Sequence, residues 1–268
     1  AYGVVSIDAD RSLSAIVEEP SDPSTNRASV GCYACEPEWL EYIDRTEKSE
    51  RGEYGITDTL ELLSADGRNI SVVGYDGRWL DVGRPWELLR ANELLLEDIE
   101  RDIQGSVAEG AQLDGDVVVE TGATVRNGVH IEGPAVILSG AEVGPNAYLR
   151  GSTAIGPDVH VGHGVEIKNS ILMADTAVPH LSYVGDSVLG RNVNLGAGTN
   201  VANLRHDDAS VRMTVKGDRV DTGRRKLGVV IGDGVKTGIN VSLNAGVKVG
   251  SGVGVDPGEV VLRDIETE

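Results

Sequence analysis

The chain is poor in cysteine and has no long apolar run, and both absences exclude classes of protein. Its two cysteines, Cys32 and Cys35, are too few for a zinc site without other ligands. They lie in the strand-like run GCYAC rather than at the start of a helix, so we interpret them as buried thiols and not as a redox pair. No segment has the apolar length needed to cross a bilayer, and AYGVVSIDAD lacks the regions of a signal peptide. The sequence therefore predicts a cytoplasmic protein with no membrane partner.

Basic residues are also scarce. There are 24 Lys and Arg against 43 Asp and Glu, which gives a net charge of -19 at pH 7. Nucleic acids and anionic membranes would repel such a surface, so we expect no nucleic-acid partner. We interpret the acidic excess as a halophilic-type surface that maintains solubility in a salty cytoplasm.

An aliphatic residue returns at every sixth position through the middle of the chain. The series is Val107, Leu113, Val119, Val125, Ile131, Ile137, Val143, Leu149, Ile155, Val161 and Ile167. A period of six fits neither an amphipathic helix nor an alternating strand, but it is typical of a parallel β-helix whose stacked coils share one core. A sandwich of ordinary strands, the alternative, would place turn signals at irregular intervals of about 8–12 residues.

The six-residue phase is interrupted twice. It is lost over 173–188 and again over 204–225, and it resumes at Leu189 and Ile231 respectively. Insertions in a solenoid become loops on one face, which is often the binding face. We therefore predict that two loops leave the solenoid and carry the chemistry.

The first third has mixed α/β character. Strands are predicted at 1–7, 15–19, 30–35, 69–75 and 79–82, and helices at 37–46 and 57–64. Pro85 stands at the favoured first position of a further helix, which we expect to end at Gly105. The predicted organisation is a domain at 1–83, a linker helix at 84–105 and a β-helix at 106–268.

The first third also resembles a known family. The succession YGVV, VEEP, GCY, RGEYGITD and WLDVGRPWELLRANELL is similar to the C-terminal half of a sugar-1-phosphate nucleotidylyltransferase domain. The resemblance implies that Asp81 helps hold a catalytic Mg²⁺ between nucleotide and sugar phosphates; a turn residue beside Gly83 is the alternative. It also places four residues around the sugar pocket, namely Glu18, Gly31, Glu53 and Asp58.

Two parts of that family's machinery have no match in this sequence. They are the Gly-rich loop that cradles the nucleoside triphosphate and the second Mg²⁺-binding Asp. We therefore expect nucleotidyl transfer, with Mg²⁺ and a nucleoside triphosphate, only in a longer chain of which residues 1–83 are a remnant.

The segment VEIKNSILMADTAVPHLSYVGDSVLGRNVNLGAGTNVAN carries a second resemblance. It is similar to the acetyltransferase half of the bifunctional glucosamine-1-phosphate N-acetyltransferase / N-acetylglucosamine-1-phosphate uridylyltransferase family. With the first third, both halves match this family in its usual order. The resemblance implies a left-handed parallel β-helix, a homotrimer, and transfer of an acetyl group from acetyl-CoA to an amino-sugar-1-phosphate.

Acetylating an amine requires a base, and an imidazole titrates in the right range. His180 lies in the first interruption and matches the family's catalytic base. The alternative is that it is a structural His beside Pro179. The resemblance further implies substrate contacts by Tyr183, Asn194, Asn203 and Lys226. It implies a cofactor-lining role for Ala197 and Gly238, with a backbone N–H near Ala197 facing the developing oxyanion.

Arg150 and Lys168 offer a geometric clue, because they are eighteen residues apart, which is one full coil. They should stack about 4.8 Å apart, which suggests an anion between them. In the family the matching pair binds the substrate phosphate. Glu166 and Tyr148 stack in the same way, so a surface network is the alternative.

Two rival functions fit this sequence less well. A zinc enzyme of the γ-carbonic anhydrase type needs three histidines, two of them spaced HxxxxH, whereas His160 and His163 give only HVGH. A solenoid that serves only trimerisation or regulation would not need His180 or the stacked cations. Leu204 replaces the Tyr that usually follows the site Asn, which leaves the choice between glucosamine and galactosamine open.

Overall fold

The computed structural model describes residues 2–49 and 52–267. The chain divides into two compact units, Ala1–Trp79 and Leu80–Glu268.

The first unit has an antiparallel strand pair, Gly3–Ile7 and Leu13–Glu18, with Gly3 opposite Glu18. Helix α1 spans Trp39–Arg45 and α2 spans Ile56–Ala65, close to their predicted positions. Apolar residues from all four elements form one small core, because each element buries one face against the others. The buried members are Val5, Leu13, Ile16, Tyr42, Leu60 and Leu63.

Several predictions for this unit were wrong. The described residues 30–35, 69–75 and 79–82 form no strand, apart from an isolated bridge between Ser12 and Ser71. These runs have strand-like composition, but such a preference depends on a partner strand and a face to bury. Cys32 and Cys35 are exposed free thiols, not buried ones.

Helix α3 spans Pro85–Leu96 and opens the second unit, with Pro85 in its first turn. It ends at Leu96 rather than at Gly105, because Asp102–Ile103 pairs with Val118 and Val119 and is already solenoid. Trp86, Leu89 and Leu96 are its buried side chains. No helix among the described residues is long and apolar enough to cross a membrane.

The rest of the second unit is a parallel β-solenoid with three faces, which confirms the predicted fold class. The first face is built by Asp102–Ile103, Val117–Val119, Ala135–Ile137, Thr153–Ile155, Ile171–Leu172, Val188–Leu189, Val230–Ile231 and Lys248–Val249. The second face contains Ser106–Val107, Thr124–Val125, Glu142–Val143, His160–His163, Ala177–His180, Lys236–Thr237 and Gly254–Val255. The third face contains Gln112–Asp114, His130–Glu132, Tyr148–Arg150, Glu166–Lys168, Tyr183–Gly185, Asn200–Val201, Ser242–Leu243 and Val260–Val261.

The six-residue aliphatics point inward and form one continuous core, as predicted; Leu149, Ile155 and Ile167 are fully buried. This stacking removes from water the apolar face that no single coil could bury alone.

The first interruption is not a loop. Glu142 pairs with His160 eighteen positions on, whereas His160 pairs with Ala177 seventeen positions on. The coil is one residue shorter because successive inward residues, normally six positions apart, are only five apart from Ile167 to Leu172. The same shortening occurs from Val184 to Leu189. The prediction that an ejected loop carries His180 was therefore wrong, because His180 ends the strand Ala177–His180.

The second interruption does leave the solenoid, as predicted. Val188 pairs with Val230, forty-two positions on, and the intervening chain forms an antiparallel hairpin of Arg212–Val215 and Asp218–Asp221. An apolar cluster joins this hairpin and its flanks to α3 and the first face; its buried members are Trp86, Leu89, Val188, Val211, Met213 and Leu227.

Candidate active site

The third face places the two predicted cations side by side. Arg150 pairs directly with Lys168 across adjacent strands, in agreement with the eighteen-residue spacing. Each cation also has a carboxylate within the chain. Arg150 Nη2 lies 2.7 Å from Glu166 Oε1, and Lys168 Nζ lies 2.8 Å from Asp186 Oδ2. The pair is therefore already partly compensated by acidic groups of this chain.

Asp186 is the centre of the polar cluster on this face. Its carboxylate is almost completely buried and accepts hydrogen bonds from Lys168 Nζ, Asn169 Nδ2 (2.9 Å) and Asn203 Nδ2 (2.5 Å). A buried carboxylate must be paired with donors in this way, because an unpaired one would be strongly destabilising. Asp186 therefore fixes the directions of the two amides and the ammonium group around it. We call Lys168, Asn169, Asp186 and Asn203 the Asp186 cluster.

The donors and acceptors that this cluster leaves for a ligand follow from its hydrogen bonds. The Nδ2 of Asn203 donates to Asp186 and, at 3.0 Å, to the Tyr183 hydroxyl, so its Oδ1 is the atom left to accept. Burial, reinforced by the charge of Asp186, raises the pKa of the Tyr183 hydroxyl, which stays protonated near neutral pH. Tyr183 and Asn203 thus present one hydrogen-bond donor and one acceptor side by side.

Gly185 makes room for this arrangement. A Cβ at this position would lie 2.4 Å from the Tyr183 hydroxyl oxygen and 2.6 Å from Asn203 Nδ2. Arg150, Lys168 and Gly185 occupy the same position on three successive coils of the third face, because Lys168 pairs with both of the others. A side chain here would displace the two groups that the cluster orients.

His180 lies at the corner between the second and third faces, three residues before Tyr183. Its carbonyl accepts hydrogen bonds from Ser182 Oγ (2.7 Å) and from the N–H of Gly198 (3.2 Å), while the side chain is exposed. Its register partner on the previous coil is His163. Within residues 2–49 and 52–267, the ring forms no hydrogen bond or ion pair with another side chain. The backbone is thus fixed while the imidazole remains accessible.

The substrate candidate Asn194 and the cofactor-lining candidates Ala197 and Gly238 lie at the same corner, on later coils. Asn194 bridges Ala177 and Lys236 on the second face. Ala197 immediately precedes the Gly198 that bonds to His180, and Gly196 packs so closely on Gly238 that a Cβ would lie 2.3 Å from the Gly238 oxygen. The structure therefore groups Asn194, Ala197 and Gly238 with His180, and the remaining substrate candidates with Asp186.

Lys226 lies exposed at the base of the insertion, where it forms a bridge with Leu204. The N–H of the next residue, Leu227, donates to the carbonyl of Asn203, so Lys226 is anchored beside the Asp186 cluster.

Asp81 is exposed and belongs to no strand. Among the described residues, no group of three or more His, Cys, Asp or Glu is arranged to hold a metal ion. Mg²⁺ is usually held by one or two carboxylates together with waters and substrate phosphates, so the Asp81 carboxylate fits the part of one such ligand.

The sequence reasoning missed several residues of the site. Asp186, Asn169 and Glu93 were not predicted, and Glu93 bonds to both Asn169 (3.0 Å) and Arg224. Burial alone would raise the pKa of the Glu93 carboxyl, but these hydrogen bonds outweigh it and the pKa lies below its ordinary value. A signal was present, because Asn169 and Asp186 each stand in one of the two shortened five-residue steps.

Fold and site together define a protein with an α/β unit followed by a parallel β-solenoid that carries a polar site on its third face. The nucleotidyl transferase family profile matches residues 1–98, and the profile of the GMPPB C-terminal domain matches residues 131–227. A bifunctional sugar-1-phosphate nucleotidylyltransferase/acetyltransferase of Sulfurisphaera tokodaii is 42% identical over 265 residues, which are 98% of this chain and 66% of that protein. The bifunctional protein GlmU of Methanocaldococcus jannaschii is 44% identical over 266 residues, which are 99% of this chain and 65% of that protein.

The chain belongs to this family of bifunctional sugar-1-phosphate nucleotidylyltransferase/acetyltransferases, which confirms the resemblance seen in the sequence. It spans just under two thirds of the length of these two relatives. A solved UDP-N-acetylglucosamine acyltransferase from Campylobacter jejuni is 18% identical with a TM-score of 0.29, covering 57% of this chain and 68% of that one. That likeness is too weak to add to the assignment.

Proposed function

We propose that the solenoid transfers the acetyl group of acetyl-CoA to the amine of an amino-sugar-1-phosphate, with glucosamine-1-phosphate as the first candidate. The observation that carries this proposal is the convergence on one face of two cationic side chains with a hydrogen-bond donor and an acceptor. Arg150 and Lys168 supply the cations, and Tyr183 and Asn203 supply the donor and the acceptor. The family relationship supports the same chemistry.

In the proposed reaction, Arg150 and Lys168 hold the sugar phosphate, and Arg suits this role through its planar fork of donors. Tyr183, Asn203, Asn194 and Lys226 orient the sugar. The neutral amine attacks the thioester carbon while His180 takes one of its protons. The backbone N–H of Ala197 stabilises the oxyanion, with Gly238 lining the cofactor side. The C–S bond then breaks, and the CoA sulfur leaves with the proton that His180 had taken.

For the whole protein we propose a second activity, sugar-1-phosphate nucleotidyl transfer, because residues 1–98 match the nucleotidyl transferase family. That activity would use Mg²⁺ and a nucleoside triphosphate, with Asp81 as one metal ligand. We also propose a homotrimer that works in the cytoplasm.

Thiol release from acetyl-CoA tests the acetyl transfer directly. We expect release with glucosamine-1-phosphate, and we expect the comparison with galactosamine-1-phosphate to identify the preferred amino sugar. Glucose-1-phosphate is the control, because it keeps the phosphate but has no amine. No thiol release with either amino-sugar phosphate would contradict the proposal.

A further inference from the structure

Helix α3 packs on the first face through the apolar cluster, and polar contacts tie it to the insertion and to the corner between the third and first faces. Glu93 on α3 forms an ion pair with Arg224 of the insertion, and their side chains are only 18% and 20% exposed. Asn92, its neighbour, donates to the carbonyl of Ser152 at 2.8 Å. The apolar cluster around Trp86, Leu89 and Met213 could hold this helix by itself. Breaking a partly buried ion pair is destabilising, because the remaining charge is left without its partner, so variants at Glu93 must separate this effect from any effect on the site.

One hydrogen-bonded path leads from this helix to the Asp186 cluster. Asn169 Nδ2 donates to Glu93 Oε1 at 3.0 Å and to Asp186 Oδ1 at 2.9 Å. The Asn169 backbone is in the left-handed region, with φ of 44°, at the corner where the coil is one residue short. The shortened corner therefore places the amide between two carboxylates that lie on different elements.

We propose that Glu93 is a positioning residue of the acetyl-acceptor site, acting through Asn169 on the carboxylate of Asp186. Asp186 in turn sets the position of Lys168 Nζ and the orientation of the Asn203 amide. Helix α3 and the insertion are thus parts of the acceptor site, although neither contributes the reacting groups. This inference rests on the proposed acetyl transfer.

Two kinds of variant separate positioning from simple stabilisation. Glu93→Gln removes the charge that holds Arg224, and its neutral amide oxygen accepts a weaker hydrogen bond from Asn169 than the carboxylate does. The exchange Glu93→Arg with Arg224→Glu restores an ion pair between helix and insertion, but it places a cation beside the Asn169 amide. We expect both to lower kcat/KM for glucosamine-1-phosphate by about tenfold, with the KM for acetyl-CoA within about twofold of wild type. We expect the exchange to recover the melting temperature that Glu93→Gln loses.

An exchange variant that recovers both the melting temperature and kcat/KM would overturn the inference, because the ion pair alone would then suffice. Unchanged kinetics in Glu93→Gln would overturn it as well. The matched control is the exchange of Arg126 and Glu142, an exposed pair 2.6 Å apart on the second face, which should leave acceptor kinetics unaltered.

Calorimetric binding of glucosamine-1-phosphate distinguishes failure of this inference from failure of the proposed function. If the wild-type protein binds this sugar phosphate without releasing thiol, the proposed acetyl transfer is contradicted but the positioning role of Glu93 is not. Weaker binding in Glu93→Gln would then support positioning, and equal binding would overturn it. No binding by the wild type would overturn both.

Discussion

His180 is the residue on which the proposed chemistry depends most directly. His180→Ala should lower kcat by about 10²–10⁴-fold, because proton removal from the amine would lose its base. The KM for acetyl-CoA should change little, since other residues hold the cofactor. Steady-state thiol release measures both values. His163→Ala is the matched control, because His163 is the exposed register partner of His180 and should leave kcat near wild type. Full activity in His180→Ala would remove this mechanism while leaving the fold unaffected.

Arg150 tests the phosphate contact. Arg150→Ala should raise the KM for glucosamine-1-phosphate by about 10- to 100-fold, the range expected for a lost hydrogen bond to a charged group. Free glucosamine already lacks the phosphate, so its slow turnover should barely change. Arg126→Ala is the control, because Arg126 forms a similar ion pair away from the site. Equal losses on the phosphorylated and free amino sugars would indicate that Arg150 serves only its pair with Glu166.

The sequence indicated candidate ligand-contacting residues more readily than the acidic groups that hydrogen-bond to them. Arg150 and Lys168 were paired from their spacing alone, because a parallel coil repeats its register. Asp186 and Glu93 were missed because their roles depend on contacts between distant segments; Glu93 and Arg224 are 131 positions apart. Acidic residues are also the commonest charged type in this chain, so composition gave no reason to single out two of them.

The inward six-residue positions of the solenoid should be intolerant of charge. Ile155 is fully buried in the core, so Ile155→Asp should lower the free energy of unfolding by at least about 3 kcal/mol through an unpaired buried charge. Chemical or thermal denaturation measures the loss. Ala154→Asp is the matched control, because Ala154 immediately precedes Ile155 in the same strand and its side chain is not part of the core. Equal losses of unfolding free energy in Ala154→Asp and Ile155→Asp would contradict the assignment of Ile155 to the inside of the solenoid and Ala154 to its outside.

The ion pair between α3 and the insertion should contribute to stability in a pH-dependent way. The pKa of Glu93 is lower in the folded protein than the ordinary 4.5. The stabilisation that ionised Glu93 gives to the folded protein is therefore complete at pH values above its ordinary pKa. It is lost as the pH falls through the lower pKa of the folded state. The difference in melting temperature between wild type and Glu93→Gln should shrink as the pH falls from about 6 to about 3.

Salt separates this ion pair from an exposed one. The pKa of Glu142 is also lowered, by its hydrogen bond from Arg126, but that pair is exposed. Added KCl should weaken the acid-dependent effect of Glu142→Gln more than that of Glu93→Gln, because buried pairs are screened less. An acid dependence that is the same in wild type and Glu93→Gln would show that Glu93 does not titrate differently on folding.

At the level of elements, the repeat was predictable and its exceptions were not. The six-residue period gave the inward residues, because each coil must bury the same positions. A one-residue deletion shifts that phase as completely as a loop does, so counting alone could not distinguish a short corner from an insertion. In the first unit, runs such as GCYAC have strand-like composition without a partner strand, and composition does not reveal the missing partner.

The whole molecule carries a large excess of negative charge. Acidic residues outnumber basic ones by 43 to 24, and this net charge of -19 belongs to both units together. Ion pairs such as Lys168 with Asp186 compensate it only locally. Self-repulsion of the remaining charges opposes the compact state.

Salt should therefore stabilise this protein. Raising the KCl concentration from about 0.01 M to about 1 M shortens the screening length from about 30 Å to about 3 Å, so repulsion between distant carboxylates is largely removed. The same screening weakens exposed ion pairs, but these contribute little, whereas the net repulsion acts over the whole surface. The melting temperature, followed by circular dichroism, should rise steadily with KCl.

Sucrose at matched osmolality is the control, because it strengthens burial without screening charge. A melting temperature that stays constant or falls with KCl would show that local pairing, and not net repulsion, dominates the electrostatics of the folded chain.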